Sequence, residues 1–145
     1  MNIQNFIKQS DKLYMEMNSI YHNTAVKFGL SDTAMWILYL ISDKDSEYTQ
    51  QDLVKQFFFP KQTINTSLKS LVKNGYAELE ETKGAYKRKI IRLTERGQAL
   101  ASAATDRLKI AEINAYGSLS DDELTMYLEI TSKINRLLRD ETDKL

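Results

Sequence analysis

The chain has 145 residues, of which 42% are hydrophobic and 28% charged, and its 20 basic residues balance its 20 acidic ones. This composition is typical of one globular domain with a sizeable core, and the zero net charge argues against a protein that coats nucleic acid indiscriminately. The absence of Cys excludes disulfides and thiolate metal sites, and no apolar run approaches the ~20 residues of a membrane span. The first residues lack a basic segment followed by an apolar one, so we expect no signal peptide and a cytoplasmic protein.

Two helices are predicted in the N-terminal part of the chain. In the first, 2–28, apolar residues recur at helical spacing, and Gly29 is placed to stop it. Ser31 is placed to cap the second, in which apolar residues from Ala34 to Ile41 cover most of the surface. We therefore expect the second helix, with its Trp36, in the middle of the core.

A helix-turn-helix is predicted next. Thr49 with Asp52 three residues later resembles a capping box, which would open a short helix over 50–57. Pro60 cannot continue that helix but suits the start of another. This second helix is predicted over 61–73, with Gly75 just beyond its end as a left-handed cap. Four of its residues are predicted to face inward: Ile64, Leu68, Leu71 and Val72.

The spacing then changes from helical to alternating, which predicts a hairpin. The first strand, 76–80, should turn Ala77 and Leu79 inward, and 81–84 is a turn signal. The return strand is predicted over 87–93, with Ile90 and Ile91 at its centre.

Two helices are predicted after the hairpin. Thr94 is expected to cap a helix over 95–116, and Ser120 with Glu123 forms a capping box for a last helix, 121–140. The apolar stripes of 2–28 and 95–145 exceed what a core built from 31–94 can cover, so we expect them to form a homodimer interface. The alternative is packing within one chain.

Basic residues concentrate around the helix-turn-helix and the hairpin. From Lys61 to Arg92 there are eight basic and three acidic residues, a local excess of five positive charges. Such a local excess on a neutral chain is typical of a DNA-reading surface, although a charge run is also common on a solvated face.

The polar side chains in this region are the types that read DNA. Gln62 and Asn65 could each pair with adenine, and a Thr methyl could touch the methyl of thymine. The amides at a helix N-terminus and nearby lysines favour phosphates, and a basic hairpin could hold the backbone or the minor groove. Alternation should send Lys87 and Lys89 to one face of the return strand and Arg88 to the other. The candidate DNA-binding residues are Thr49, Gln50, Lys61, Gln62, Thr63, Asn65, Thr66, Lys69, Lys87, Arg88 and Lys89.

Other chemistry is weakly represented. The aromatic run 57–59 is expected in the core with at least one ring partly exposed, the alternative being a base-stacking platform. Tyr14, Met17, Tyr21 and Tyr39 are expected to be core residues or to border a ligand cavity. With one histidine, His22, and no recognisable nucleophile, phosphate loop or carboxylate pair, we expect no metal, no cofactor and no enzymatic activity.

Taken together, these segments resemble the MarR family of bacterial transcriptional regulators. The resemblance rests on TQQDL at the first helix of the motif, PKQTINTSLKSLVKNGY in the second and RLTERG after the hairpin. It implies a mainly α fold with a small β-hairpin wing, a winged helix-turn-helix (31–94) flanked by dimerisation helices (2–28 and 95–145) in a single domain. It also implies a homodimer on a pseudo-palindromic operator, and in many members repression that ends when a small aromatic ligand binds.

The wing departs from the family pattern at one point. Members commonly carry Asp-x-Arg a few residues before the Leu-Thr, and the matching residues here are Ala85-Tyr86-Lys87. The Asp that would hold the wing arginine is therefore missing, although Lys87 or Arg88 could supply a cation. Two other functions stay open: a winged-helix module that binds protein, and a non-specific DNA-binding protein whose affinity depends on salt but hardly on sequence.

Overall fold

The computed structural model describes residues 2–43 and 45–145 and divides into two units, one ending at Leu108 and the other starting at Lys109. Its elements in chain order are α1 (Ile3–Lys27), α2 (Asp32–Ile41), α3 (Gln50–Phe57), α4 (Lys61–Lys73), β1 (Ala77–Glu81), β2 (Lys89–Leu93), α5 (Glu95–Ala101), α6 (Arg107–Tyr116) and α7 (Asp121–Thr142). The mainly α fold with one antiparallel hairpin confirms the predicted fold class. Among the described residues, no helix is both long enough and apolar enough to cross a membrane.

The predicted helix ends are confirmed where a single side chain or glycine fixes them. Ser31 caps α2 by accepting the amide of Ala34 at 3.1 Å, and Gly75 after α4 has a φ of 73°. Thr49 and Asp52 form the predicted capping box at α3, and Ser120 and Glu123 form the one at α7. The three N-terminal caps satisfy amides that a helix start would otherwise leave without partners, and Gly75 lets the chain turn away at the end of α4.

The core of the first unit is built around α2. Met35, Ile37 and Leu38 are fully buried, as the apolar surface of this helix predicts. The hydrophobic cluster around Ile37 and Leu38 joins α2 to α3, α4 and the hairpin through Leu53, Ile64, Leu68, Leu71, Ala77 and Ile91. Burying one such aliphatic side chain stabilises a fold by about 1.5–3 kcal/mol, so this cluster fixes α4 relative to the hairpin.

A second cluster contains Trp36. Its ring lies 5.0 Å from that of Tyr21 and 5.4 Å from that of Tyr39 between centroids, and all three pack against buried Ala25, Met35 and Leu108. The core interpretation is confirmed for Tyr21, Trp36 and Tyr39, and it is wrong for Tyr14, whose side chain is 62% exposed. In the run 57–59, the outer two rings pack on the main core and Phe58 is 80% exposed, as predicted for a core segment with one exposed ring.

The prediction that Val72 and Leu79 face the interior is wrong. Val72 is 40% and Leu79 is 45% exposed, and both line an open groove between α4 and the hairpin. Alternation and helical spacing identify the face of an element, but they do not show whether another element covers that face.

The return strand also differs from its prediction, because it starts at Lys89 and not at residue 87. Residues 82–88 form the connecting loop, which Thr82 closes through its amide to the carbonyl of Arg88 at 2.9 Å. The prediction that Lys87, Arg88 and Lys89 alternate across one strand is therefore wrong.

Ile90 and Ile91 are both buried because the segment at Tyr48 pairs with the outer edge of β2. The carbonyl of Tyr48 accepts the amide of Ile91 at 2.9 Å.

The helix predicted over 95–116 is interrupted. A π-helical turn, Ser102–Asp106, separates α5 from α6. Thr105 in this turn is fully buried, and its hydroxyl donates to the carbonyl of Ala101 at 2.8 Å. That bond supplies a partner for a backbone acceptor at the interruption, a local arrangement that apolar spacing does not reveal.

Each unit carries a helix whose apolar side chains stay uncovered. In α1 the one buried residue is Ala25, and α7 in the second unit has none. Exposed apolar residues include Ile7, Leu13 and Ile20 of α1, and Leu128, Leu137 and Leu138 of α7. Packing within each unit therefore does not cover the stripes that the sequence analysis identified.

Candidate nucleic-acid interface

The polar face of α4 is exposed while its apolar face anchors the helix. Ile64, Leu68 and Leu71 are at most 3% exposed and hold α4 against the core. The outward residues Lys61, Gln62, Thr63, Thr66 and Lys69 are exposed, and Asn65 is half-buried. The Thr66 hydroxyl donates to the carbonyl of Gln62 at 3.0 Å, so it can offer a ligand its oxygen and its methyl group but not its proton.

The first turn of α3 holds a closed hydrogen-bond network. The Thr49 hydroxyl accepts the amide of Asp52 at 3.1 Å and donates to the carboxylate of Asp52 at 2.7 Å. The Thr49 amide donates to the same carboxylate oxygen at 2.8 Å. The capping interpretation of Thr49 is therefore confirmed, and its hydroxyl proton is already used.

Asp52 places a negative charge at this helix end. Hydrogen bonds from the backbone and then the side chain of Thr49, followed by the charge of Arg88, lower the pKa of Asp52 from its usual 3.8. The carboxylate is thus ionised near neutral pH. A phosphate approaching the end of α3 would meet this charge as well as the helix amides.

Two adjoining grooves bring most of the candidate residues together. One, with a volume of about 310 Å³, is lined by Gln50, Asn65, Leu68, Lys69, Val72, Lys73 and Leu79. The other, of about 350 Å³, is lined by Thr49, Gln50, Gln51, Asp52, Leu79, Lys87, Arg88 and Lys89. Gln50 and Leu79 belong to both, so α3, α4 and the hairpin share one surface.

A third groove extends this surface towards the start of α4. Gln50 and Gln51 of α3 line it together with Lys55 and Lys61. Gln62, Thr63 and Thr66 line none of these three grooves and lie on the open face of α4. Gln51, Lys55 and Lys73 belong to this surface but were not predicted from the sequence, although Gln51 directly follows Gln50 and Lys73 lies one helical turn after Lys69.

The two hairpin arginines are engaged in ion pairs. The guanidinium of Arg88 lies 3.0 Å from the Asp52 carboxylate. Arg92 bonds to Glu80 on the opposite strand at 2.9 Å and to the carbonyl of Ser46 at 2.6 Å. Part of the local positive excess is therefore neutralised, although half of the Arg88 side chain stays exposed, and Lys83, Lys87 and Lys89 are exposed as well.

Two exposed aromatic rings stand out near this surface. Phe58, in the turn before α4, has a φ of 57°, a left-handed backbone conformation that residues other than Gly rarely adopt. Tyr86, in the loop 82–88, is 89% exposed. Tyr86 was not predicted as part of this surface, although its position between Lys83 and Lys87 in a basic loop is a signal for it.

In the part of the chain that the structure describes, His22 and the acidic side chains do not form a metal site. His22 bonds through Nδ1 to the Asp32 carboxylate at 2.8 Å, which links α1 to the start of α2. Within residues 2–43 and 45–145, no group of three or more His, Asp or Glu side chains is placed to hold a metal ion.

Comparison with known proteins agrees with this geometry. Residues 28–85 match the model of the MarR family. A MarR family regulator from Neisseria meningitidis has the same fold, with 18% sequence identity, 99% of each chain covered and a TM-score of 0.78. The chain therefore has the winged-helix fold of the MarR regulators to which it is similar. No curated protein matches it.

Two of the solved structures to which this chain is similar contain DNA. The Staphylococcus aureus MepR–DNA complex matches at 21% identity, covering 94% of this chain and 99% of that one, with a TM-score of 0.75. A MarR family transcriptional regulator from Listeria monocytogenes, complexed with 26mer DNA, matches at 20% identity over 93% of this chain and 89% of that one, with a TM-score of 0.71. Identities this low establish a shared fold.

Proposed function

We propose that this protein belongs to the MarR family and is a homodimeric, sequence-specific DNA-binding transcription regulator. The observation that carries the proposal is the exposed polar face of α4, held on a buried apolar face and continuous with the grooves that α3 and the hairpin line. The DNA complexes of MepR and of the Listeria relative support DNA as the ligand of this fold.

In the proposed complex, α4 enters the major groove. Gln62 and Asn65 would read adenine, and the methyl of Thr63 or Thr66 would contact thymine. Lys61 and Lys69 would hold phosphates on either side, and the free amides at the start of α3 near Gln50 would bind another. The hairpin would lie along the neighbouring backbone or minor groove and bring Lys87 and Lys89 to it.

A second copy of the chain would cover the apolar faces of α1 and α7. Exposed apolar side chains recur along α1 and α7, among them Leu13 (65% exposed) and Leu128 (67% exposed), and a soluble monomer rarely keeps an extended apolar surface of this kind. A two-fold dimer would present two copies of α4 to an operator whose half-sites lie about one helical turn apart. The arrangement of 31–94 as a DNA-reading core between dimerisation helices belongs to this proposal.

Repression, and release by a small aromatic ligand, rest on the family resemblance alone. Such a ligand would weaken DNA binding only if it favoured a conformation in which the two α4 helices no longer match the half-sites. Its effect would therefore be a population shift, and DNA would reciprocally weaken ligand binding.

Substitutions on α4 test the proposal. Gln62→Ala and Asn65→Ala should each relax the preference at one base position, at a cost of about 1–3 kcal/mol for the preferred sequence. Lys61→Gln should weaken binding to all sequences and reduce the slope of log affinity against log salt by about one. Lys8→Gln, at an exposed position of α1, is the matched control and should change neither quantity.

Three results would contradict the proposal. A wild-type protein that binds no DNA would favour a protein-interaction module. Binding that depends on salt but not on sequence would favour a non-specific DNA-binding protein. An unchanged base preference in both Gln62→Ala and Asn65→Ala would remove base reading from α4.

A further inference from the structure

The wing loop is tied to α3 by a side chain outside the wing. The Nη2 atom of Arg88 lies 3.0 Å from Oδ2 of Asp52, the same oxygen that accepts the amide and the hydroxyl of Thr49. Asp52 is the third residue of α3, so one carboxylate serves both the helix cap and the wing.

The backbone of Arg88 is fixed as well. Its amide donates to the Thr82 hydroxyl at 3.0 Å, and its carbonyl accepts the Thr82 amide at 2.9 Å. Since the side chain is held by Asp52 and the main chain by Thr82, Arg88 has little freedom to turn towards an external phosphate.

The Asp52–Arg88 pair extends an existing connection. Next to it along the chain, β2 already pairs with the segment before α3, through the Ile90 bridge to Thr49. Lys87 and Lys89 flank Arg88 in sequence and line the same groove as Gln50. The position of these two lysines relative to the start of α3 therefore depends on the contact between Asp52 and Arg88.

We infer that Arg88 is a positioning residue held by Asp52, and that this pair aligns the wing with α3 so that Lys87 and Lys89 contact DNA. The inference rests on the proposed DNA-binding function. Asp52, which lies on the helix-turn-helix, would replace the acidic wing residue that the family pattern has at the position of Ala85. Because half-exposed ion pairs add little to folding stability, the effect of the pair is expected in DNA binding.

Asp52→Asn separates this inference from simple electrostatics. Removing a negative charge beside DNA should strengthen binding if the carboxylate only repels phosphates. If the carboxylate aligns the wing with α3, its loss should instead weaken DNA binding. The usual coupling between two contacting residues corresponds to a change of about tenfold in affinity. Asp45→Asn is the matched control, because Asp45 is an exposed carboxylate that lines a cavity with Asp52 and Arg88. This substitution should leave the affinity for DNA unchanged or slightly higher.

The experiment measures affinity and salt dependence for a duplex that the wild type selects from random DNA. Asp52→Asn and Arg88→Gln should each weaken binding about tenfold, and the double variant should be no weaker than either single one. Because either change would move Lys87 and Lys89 away from DNA, Asp52→Asn and Arg88→Gln should lower the salt slope by the same amount, as Lys87→Gln alone should lower it by about one. Thermal unfolding checks each fold, and Arg88→Gln leaves the cap of α3 intact.

Opposite results would overturn the inference. A salt slope that falls by about one in Arg88→Gln but not in Asp52→Asn, with effects of the two changes on affinity that add, would make Arg88 a phosphate contact. Unchanged or tighter binding by Asp52→Asn would remove the positioning role. If the wild type selects no DNA at all, the proposed function fails first, and the inference falls with it.

Discussion

Gly97 lies where the first turn of α5 touches the backbone that leads into β1. A Cβ atom built at this residue would lie 1.8 Å from the carbonyl oxygen of Tyr76 and 3.2 Å from Cδ2 of Leu93. The Tyr76 carbonyl also accepts the amide of Thr94 at 3.1 Å, so α5 is bonded to this point. The glycine of the LTERG segment is thus needed for close approach between backbones.

Gly97→Ala should therefore destabilise the fold. In an open helix, the same substitution stabilises by about 1 kcal/mol through helix propensity. Here the methyl group must displace backbone, and overpacking of this kind costs about 1–3 kcal/mol or more. Because a separation of 1.8 Å from a backbone oxygen puts the cost at the upper end of that range, we expect a loss, net of the propensity gain, of about 2 kcal/mol, or about 6 °C in Tm for a chain of this size. DNA binding should weaken too, because the hairpin would shift relative to α4.

Urea unfolding followed by circular dichroism, at one fixed protein concentration, measures this loss. Ala99→Gly, at an exposed position of the same helix, is the control and should cost about 1 kcal/mol from propensity alone. A Gly97→Ala protein as stable as the wild type, or more stable, would refute the close-approach argument.

Four further substitutions test other parts of the account. Phe58→Gly should raise the free energy of unfolding by about 1 kcal/mol, since Gly adopts the left-handed conformation without strain, and a loss would contradict that reading. Tyr86→Ala should weaken DNA binding while leaving Tm unchanged; equal affinity would show that the loop 82–88 does not touch DNA. Leu128→Glu should convert a dimer to a monomer in sedimentation velocity, and a persistent dimer would place the interface elsewhere. The pKa of Asp52 in the folded protein lies below its usual 3.8. The stabilisation that the ionised carboxylate gives the folded state is therefore complete above pH 3.8, and it is lost as the pH falls through the lower folded pKa. The stability difference between the wild type and Asp52→Asn should shrink below that pH, and a difference that stays constant would contradict the assigned hydrogen bonds.

Features fixed by neighbouring residues could be predicted from the sequence. The capping box of Thr49 and Asp52, the cap at Ser31 and the left-handed Gly75 each depend on a few adjacent residues. The buried face of α4 at Ile64 and Leu68 follows from helical spacing because the opposite residues are polar.

Features that depend on distant residues could not be predicted. Leu79 has the spacing of a buried residue, but its exposure depends on whether another element covers the groove beside it. Arg88 has the spacing of a strand residue, but Thr82 holds it in the loop and Asp52, 36 positions earlier, takes its side chain. Helical spacing likewise gives no sign of the π-helical turn at Thr105.

The central claim is that α4 reads DNA sequence in a dimer, and selection from random duplex DNA tests it most directly. The wild-type protein is incubated with the random pool at physiological salt and excess competitor DNA, and the bound fraction is sequenced. We expect an inverted repeat with half-site centres about one helical turn, roughly 10 base pairs, apart. Recovery of a pool with no preferred sequence, or of a single half-site without symmetry, would contradict the claim.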